Sequence, residues 1–171
     1  LDILGATQIQ DSEVWGVSAF GASRVNMRPN WDAGFDPAEP GPSVSGHSVG
    51  AWVMDGSFFR SDNVAFTANG TGIVAQRDVM IKVFSNESGL GVTDSIGDGI
   101  IVRQNSSAQV LAPVTGNGGS GIQVASLSYL QAIGGLVSDN GGEDIACVDV
   151  TASSAFCPSL TQTINDLQAQ V

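Results

Sequence analysis

One short pattern recurs along most of this chain at a nearly constant interval. A glycine followed by small or β-branched apolar residues stands at residues 50–53, 72–75, 99–102 and 121–124, and Asp144 replaces the glycine in a fifth copy. The starts are 22, 27, 22 and 23 residues apart, and Gly16 opens a weaker copy. Self-similarity at such a period is the signature of stacked repeat units that bury their apolar faces against one another.

Two further features recur inside the units. An Asn-Gly pair at residues 69–70, 117–118 and 140–141 precedes three of the starts by three or four residues. Asn and Gly tolerate a positive φ, so each pair predicts a sharp corner. After the starts, apolar residues occupy alternate positions, as in Val79, Ile81 and Val83, which indicates a strand with one buried face and one solvated face.

A coil explains this pattern better than a series of hairpins. Two-residue hairpins at the Asn-Gly pairs would make antiparallel strands, but they give no reason for the same pattern to return at this period. If each unit is one turn of three short strands and three corners, equivalent residues stack at the ~4.8 Å strand spacing and form a continuous core. The sequence therefore predicts an all-β solenoid of about six turns. An antiparallel β-sandwich with Gly-rich turns is the alternative.

The Asn-Gly corners, the Gly-Ile starts and the alternating Val and Ile residues resemble the right-handed parallel β-helix repeat proteins with the pectate-lyase-like fold. The resemblance covers residues 50–150, where the repeats are clearest, and extends back to Gly16. It implies a right-handed, single-stranded parallel β-helix as one domain over residues 1–171. It implies no activity, because lyases of this class present an Asp cluster that binds calcium beside a catalytic Arg, and this sequence contains no matching motif.

Two segments depart from the repeat. Residues 28–49 contain four of the six prolines and are too long for a corner, so they predict a loop that projects from an early turn. Residues 159–171 begin with Ser159, which can cap a helix, and continue with apolar residues at spacings of four, three and four. We expect a short C-terminal helix that covers the open end of the coil, since a solenoid end exposes core and strand edges.

The charge balance limits the classes of partner. Six Lys and Arg against seventeen Asp and Glu give a formal net charge of −11. Most of this surface would repel a phosphate backbone, which disfavours nucleic acid as a partner. No stretch approaches the ~18 consecutive apolar residues of a membrane span, so we expect none.

The cysteine content predicts a disulfide and no metal site. Cys147 and Cys157 are ten positions apart, and the single histidine, His47, lies a hundred residues upstream, which is too little for a zinc site. A disulfide in an oxidising compartment would contribute on the order of 3 kcal/mol through chain entropy. Two reduced buried thiols are the alternative. We expect neither a metal nor a cofactor.

Three charged residues fall near one position of successive units. Asp55, Arg77 and Arg103 follow their starting glycines by five, five and four residues. Stacked ~5 Å apart on adjacent turns, they could form one charged groove that binds acidic polysaccharide. The alternative is three exposed charges that form weak surface pairs.

A group of aromatic and acidic residues predicts a second candidate site. Trp31, Phe35 and Trp52 could stack on sugar rings, while Asp32 and Asp36 accept hydrogen bonds from sugar hydroxyls. The alternative is a hydrophobic clamp that holds the Pro-rich loop on the coil, with Trp52 in the core.

Other residues give weaker signals. Asp94 and Asp98 share a turn, but two carboxylates are too few for a tight calcium site, so we interpret them as part of a solvated turn. His47 is interpreted as a loop histidine, because the sequence has no Gly-x-Ser-x-Gly nucleophile elbow. Sequons begin at residues 69, 86 and 105, and for Asn69 and Asn105 we prefer side-chain amides that bond along the coil to glycosylation.

Two functions from different classes fit these features. The first is a noncatalytic extracellular or cell-surface module that acts as a rod, adhesion or assembly element and binds polysaccharide or another glycan. The low Lys content, the acidic charge and the expected disulfide suit this environment, and end-to-end stacking of turns would allow self-association. The second is a polysaccharide-active enzyme, a lyase, hydrolase or epimerase, or a fragment of one. The scarcity of catalytic candidates favours the first.

Overall fold

The computed structural model describes residues 1–4, 7–29, 41–85, 89–132 and 136–148. These residues form a parallel β-solenoid with three strands in each turn and three six-stranded sheets. Every pairing between described strands is parallel. The predicted all-β coil of about six turns is confirmed, and the antiparallel sandwich is wrong.

The described strands follow one another in six equivalent sets of three. They are β1 (Asp2–Leu4), β2 (Gln8–Gln10) and β3 (Trp15–Ala19); β4 (Arg24–Arg28), β5 (Ser43–Ser45) and β6 (Val49–Met54); β7 (Phe58–Asp62), β8 (Ala65–Thr67) and β9 (Thr71–Gln76); β10 (Met80–Phe84), β11 (Gly91–Thr93) and β12 (Ile100–Arg103); β13 (Ser107–Leu111), β14 (Val114–Thr115) and β15 (Ile122–Ala125); β16 (Tyr129–Ala132), β17 (Val137–Ser138) and β18 (Ile145–Val148). The first strands of the turns form sheet A, the second strands sheet B and the third strands sheet C.

The core is a set of columns in which equivalent residues of successive turns stack. In sheet C, Ile73, Ile100 and Ile122 are register partners, and all three are fully buried. Alternate residues point outward in strands such as β4, β10 and β13, which have the one-sided burial that the sequence predicts, whereas β9 is buried at five consecutive positions. Burying one such side chain stabilises the fold by about 1.5–3 kcal/mol, and the coil repeats that contact in every turn.

A ladder of polar side chains lines the corner between sheets B and C. Its members are His47, Asn69, Ser95, Asn117 and Asn140, and we call it the corner ladder. Asn117 Oδ1 accepts the backbone N–H of Ser95 at 3.0 Å, and its Nδ2 donates to the Val92 carbonyl at 3.2 Å. Asn69 forms the equivalent two bonds, each 3.1 Å, to the turn before it. The ladder therefore satisfies buried backbone groups and links successive turns.

The corner ladder explains the recurring glycine. A Cβ atom on Gly99 would lie 2.8 Å from Asn117 Nδ2 and 2.6 Å from the Gly121 carbonyl oxygen. A Cβ atom on Gly50 would lie 2.8 Å from Asn69 Nδ2. The ladder side chain of one turn thus occupies the space beside the glycine of the turn before it. The Asn of each Asn-Gly pair and the starting Gly of the turn before it are therefore the two partners of one contact between adjacent turns.

The corner between sheets C and A has an unusual backbone. Two consecutive residues have positive φ in each of five turns, at 21–22, 55–56, 77–78, 104–105 and 126–127. A left-handed conformation costs a non-glycine residue roughly 1–2 kcal/mol. Hydrogen bonds between turns hold the backbone in place, such as Gly56 N–H to the Arg77 carbonyl at 3.0 Å and Asp78 N–H to the Gln104 carbonyl at 3.1 Å. This corner presents Asp55 and Arg77 to solvent.

The Pro-rich insertion falls between β4 and β5, while β5 and His47 belong to the coil. Residues 30–40 lie outside the described residues, and so does the expected capping helix at 159–171. The right-handed sense and the single domain over residues 1–171 stay predictions. Within the described ranges there is no helix of the length and apolar character that crossing a membrane requires.

Candidate functional site

An aromatic cluster lies on the outer face of sheet C at the N-terminal turns. Trp52 points outward from β6, so it lies outside the core. Trp15 on β3 packs edge-on against it, with ring centroids 5.1 Å apart and an interplanar angle of 86°. Phe20 contacts Trp15 with a centroid distance of 5.9 Å. Trp15 is 40% exposed and Phe20 37%, so the cluster offers aromatic surface on which a sugar ring can stack.

The Trp52 indole N–H makes no hydrogen bond to the residues that the structure describes, although its Nε1 atom is buried. A buried donor without a partner costs roughly 1–3 kcal/mol, and most such groups in native proteins are paired. The packing of this side chain on the outer face is therefore obtained at a cost in stability.

A polar row continues the same face of sheet C. Met54, Gln76 and Arg103 are register partners in three successive turns. Arg103 donates to Gln76 Oε1 from Nε at 2.9 Å and from Nη2 at 2.6 Å. Gln76 is buried, so it holds the more exposed guanidinium in one orientation.

Asp55 and Arg77 stack on adjacent turns, as their spacing predicts. Arg77 Nε lies 2.7 Å from Asp55 Oδ1, and Nη2 lies 3.2 Å from Oδ2. Both side chains are close to half exposed, which limits the strength of the pair. Arg103 does not join this column, because its register partner is Gln76. Its offset of four residues from the glycine, rather than five, accounts for the difference.

The aromatic and polar groups form one strip along the coil axis. We call it the sheet C strip, and its residues are Trp15, Phe20, Trp52, Gln76, Arg77 and Arg103. Its aromatic part lies in the first two turns and its hydrogen-bond donors in the third and fourth. Such a combination suits a ligand with both apolar ring faces and polar groups. Among the residues that the structure describes, no group of three or more His, Cys, Asp or Glu side chains could hold a metal ion.

His47 is not a loop histidine, as the sequence suggested, but a buried member of the corner ladder. Its Nδ1 accepts the Ser12 backbone N–H at 3.0 Å, and its Nε2 lies 3.0 Å from the Ile9 carbonyl oxygen. Both ring nitrogens are therefore engaged by the first turn. The signal was available, because His47 precedes Gly50 by three residues, as Asn69 precedes Gly72.

The structure also locates the Asp94 and Asp98 carboxylates and two of the three sequon asparagines. Asp94 is exposed with a φ of 55°, and Asp98 Oδ1 accepts the Ser120 N–H at 2.7 Å. Asn69 is buried in the corner ladder, and Asn105 Nδ2 donates to Asp78 Oδ1 at 2.6 Å. The prediction that both amides bond along the coil is confirmed.

Several predicted residues lie outside the described ranges. They are Trp31, Asp32, Phe35, Asp36, Asn86 and Cys157. Cys147 is on β18, in the last described strand. The sugar-binding role of the loop residues and the Cys147–Cys157 pairing stay predictions.

The sequence reasoning missed Trp15, Phe20 and Gln76. The offset of four residues from each starting glycine contained the signal, because it selects Phe20 after Gly16, Gln76 after Gly72 and Arg103 after Gly99. Trp15 directly precedes the weakest copy of the repeat, where the sequence pattern predicts the position of a side chain least clearly.

Searches among protein-family models, curated proteins and solved structures found no match for this chain. Its function is therefore inferred from the chemistry of the sheet C strip.

Proposed function

We propose that this chain is a noncatalytic extracellular or cell-surface β-helix module that binds glycans along the sheet C strip. The solenoid serves as a rigid rod that presents the strip. One observation carries the proposal: the exposed Trp15 and Phe20 rings lie on the same outer face of the coil as the Gln76–Arg103 pair, two turns away.

The strip has the chemistry that sugars need. Aromatic rings stack on the apolar faces of pyranoses, while guanidinium and amide groups bond to hydroxyls or carboxylates. Gln76 orients Arg103 before any ligand arrives, which lowers the entropy lost on binding. Successive turns are ~4.8 Å apart, so the strip suits an extended polysaccharide better than a single sugar.

The noncatalytic assignment rests on how the reactive side chains are engaged. His47 contacts backbone groups through both ring nitrogens. Arg77 is paired with Asp55, and Arg103 is bonded to Gln76. The extracellular location follows from the acidic, Lys-poor composition and from the predicted Cys147–Cys157 disulfide.

A screen of neutral and acidic glycans tests the proposal, with turnover followed by reducing ends and by the ultraviolet absorbance of unsaturated products. We expect binding without turnover. Trp15→Ala should weaken binding about tenfold or more, which corresponds to ~1.4 kcal/mol. Tyr129→Ala is the matched control, because Tyr129 is 52% exposed on sheet A, away from the strip, and its loss should leave the affinity unchanged.

Three results would contradict the proposal. Turnover that disappears in Arg77→Ala or Arg103→Ala would make the chain a polysaccharide-active enzyme. Equal loss of affinity in Trp15→Ala and Tyr129→Ala would place the glycan elsewhere. A chain that binds no glycan would retain only the role of a structural rod.

A further inference from the structure

The basic side chains of this acidic chain are concentrated on one face. Four of its six Lys and Arg residues occupy outward positions of sheet A, namely Arg24, Arg28, Arg60 and Lys82. Asp2 and Asp62 are the acidic residues on the described strands of this sheet. In a chain with a net charge of −11, this surface, which we call the basic face, is locally positive.

Two side chains of the basic face, Arg24 and Arg60, are held against neighbouring aromatic rings. Arg60 and Lys82 are register partners in adjacent turns, ~4.8 Å apart. The Arg24 guanidinium lies 4.7 Å above the Phe58 ring centre, and Arg60 lies 5.6 Å from that of Phe84. Arg60 also pairs with Asp62 at 2.8 Å, whereas Lys82 has no ion-pair partner in the part of the chain that the structure describes. Lys82 therefore contributes positive charge that no described carboxylate pairs with.

The opposite side of the rod is acidic. Three sheets enclose the core, so the corner where sheets B and C meet is opposite sheet A. We call this corner the acidic edge, and its residues are Asp11, Glu13, Asp94, Asp98, Asp139, Glu143 and Asp144. Between Asp94 and Asp98 lies Ile96, which is 81% exposed. The edge thus presents an apolar side chain flanked by two carboxylates.

We propose that the basic face of one copy of this chain docks on the acidic edge of a second copy, side by side. The two surfaces lie on opposite sides of the same rod, so a translation perpendicular to the coil axis brings them together. The basic residues occupy the second to fourth turns, and five of the seven acidic residues the fourth to sixth. A stagger of about two turns, roughly 10 Å, aligns them. This lateral contact is distinct from end-to-end stacking and independent of glycan binding.

The chemistry of the two surfaces is complementary. Guanidinium and ammonium groups form charge-assisted bonds to carboxylates, which fix orientation and register. With this stagger, Ile96 lies beside the second turn of the basic face, where it can pack on the aliphatic stem of Arg24. Because the contact is heterologous, each bound copy offers a further face and a further edge, so association continues into rows.

Ionic strength should affect this contact in two directions. The net charge of −11 makes whole copies repel one another at low salt. Salt screens that long-range repulsion, with a Debye length of about 10 Å near 0.1 M, but high salt also weakens the contact pairs. We expect association to be strongest at intermediate salt.

Sedimentation velocity of the 171-residue chain, over a range of protein and salt concentrations, tests the proposal. The face variant is Arg60→Glu with Lys82→Glu, and the edge variant is Ile96→Lys with Glu143→Lys. Each variant alone should associate at least about tenfold more weakly than the parent chain, because like charges then meet. An equal mixture of the two variants should associate again, since the intact edge of the face variant meets the intact face of the edge variant.

The control is Arg77→Glu with Arg103→Glu, which changes the net charge as the face variant does but lies on the sheet C strip; it should leave association intact. Lys82→Glu alone preserves the Arg60–Asp62 pair and should still weaken association if the double variant proves unstable. A parent chain that stays monomeric under all conditions, or a variant mixture that does not associate, would overturn the proposal. An equal loss of association in the control variant would also overturn the proposal. Glycan binding is scored separately through Trp15→Ala, so either proposal can fail alone.

Discussion

Asn117 bonds to the turn before it through Ser95, whose backbone N–H donates to Asn117 Oδ1 at 3.0 Å. Ser95 occupies the ladder position in the turn before Asn117, but its hydroxyl is buried without a hydrogen-bond partner in the described part of the chain. Serine is too short to repeat what asparagine does at Asn69 and Asn117. The ladder is therefore interrupted between the third and fourth turns of the described coil.

Ser95→Asn should close this gap. The new amide can accept the Asn69 N–H and donate to the Phe66 carbonyl, which are the atoms equivalent to those that Asn117 bonds. Gly72 leaves space beside Ser95, as Gly50 does beside Asn69. We expect the free energy of unfolding to rise by about 1 kcal/mol in urea denaturation. Ser106→Asn is the control and should destabilise, because the Ser106 hydroxyl already accepts the Val79 N–H; an equal loss in both variants would contradict the ladder argument.

Asn117→Ala should be among the more damaging polar substitutions. It removes the acceptor of the Ser95 N–H and the donor to the Val92 carbonyl, and both backbone groups are buried. We expect a loss of about 2–4 kcal/mol in the free energy of unfolding. Asn26→Ala, whose amide bonds to the exposed Asp2 carboxylate from strand β4, should lose less than about 1 kcal/mol. Similar urea midpoints for the two variants would refute the distinction.

Gly99→Ala should destabilise more than Gly56→Ala, for different physical reasons. At Gly99 a Cβ would approach backbone and ladder atoms to 2.6–2.8 Å, so the turns must separate. At Gly56 there is open space, and the cost is the positive φ of 70° alone. We expect losses of about 2–3 kcal/mol and 1–2 kcal/mol respectively in thermal or urea unfolding. The opposite order would show that turns move apart easily.

Trp52→Phe tests the stability contribution of the indole N–H separately from that of the aromatic ring. The substitution removes a buried donor that has no partner, so stability should stay constant or rise by up to about 1 kcal/mol. Trp52→Ala should lose about 1–3 kcal/mol, because it also removes the edge-on contact with Trp15. Calorimetric melting checks both variants. Marked destabilisation by Phe would show that the indole N–H has a partner.

Asp55→Asn should change stability by less than about 0.5 kcal/mol. The Asp55–Arg77 pair is close to half exposed on both sides, and such surface pairs contribute little. Asparagine also tolerates the positive φ of 58° at this position. Urea denaturation at low and moderate salt measures the effect, and a loss above 1 kcal/mol would assign the pair a structural role.

The coil could be predicted because its determinants are local and repeated. The glycine before each sheet C strand, the alternate apolar residues and the Asn-Gly corners recur at nearly one period, and only stacked turns let every copy bury the same face. The same argument placed Asp55, Arg77 and Arg103 in one column; the first two stack on adjacent turns, whereas Arg103 lies in register with Gln76 instead. The repeat also predicted that Asn69 bonds along the coil rather than pointing to solvent.

Other relationships were decided by the tertiary structure. Three contacts depend on which residues of neighbouring turns lie opposite each other. They are the packing of Trp15 on Trp52, the bonding of Arg103 to Gln76 and the position of His47 in the corner ladder. A shift of one residue at a corner changes those partners without altering the repeat. The separation of the basic face from the acidic edge has the same origin. The sequence determines what each turn contains, whereas the stacking register of the turns determines which side chains meet and on which side of the rod they lie.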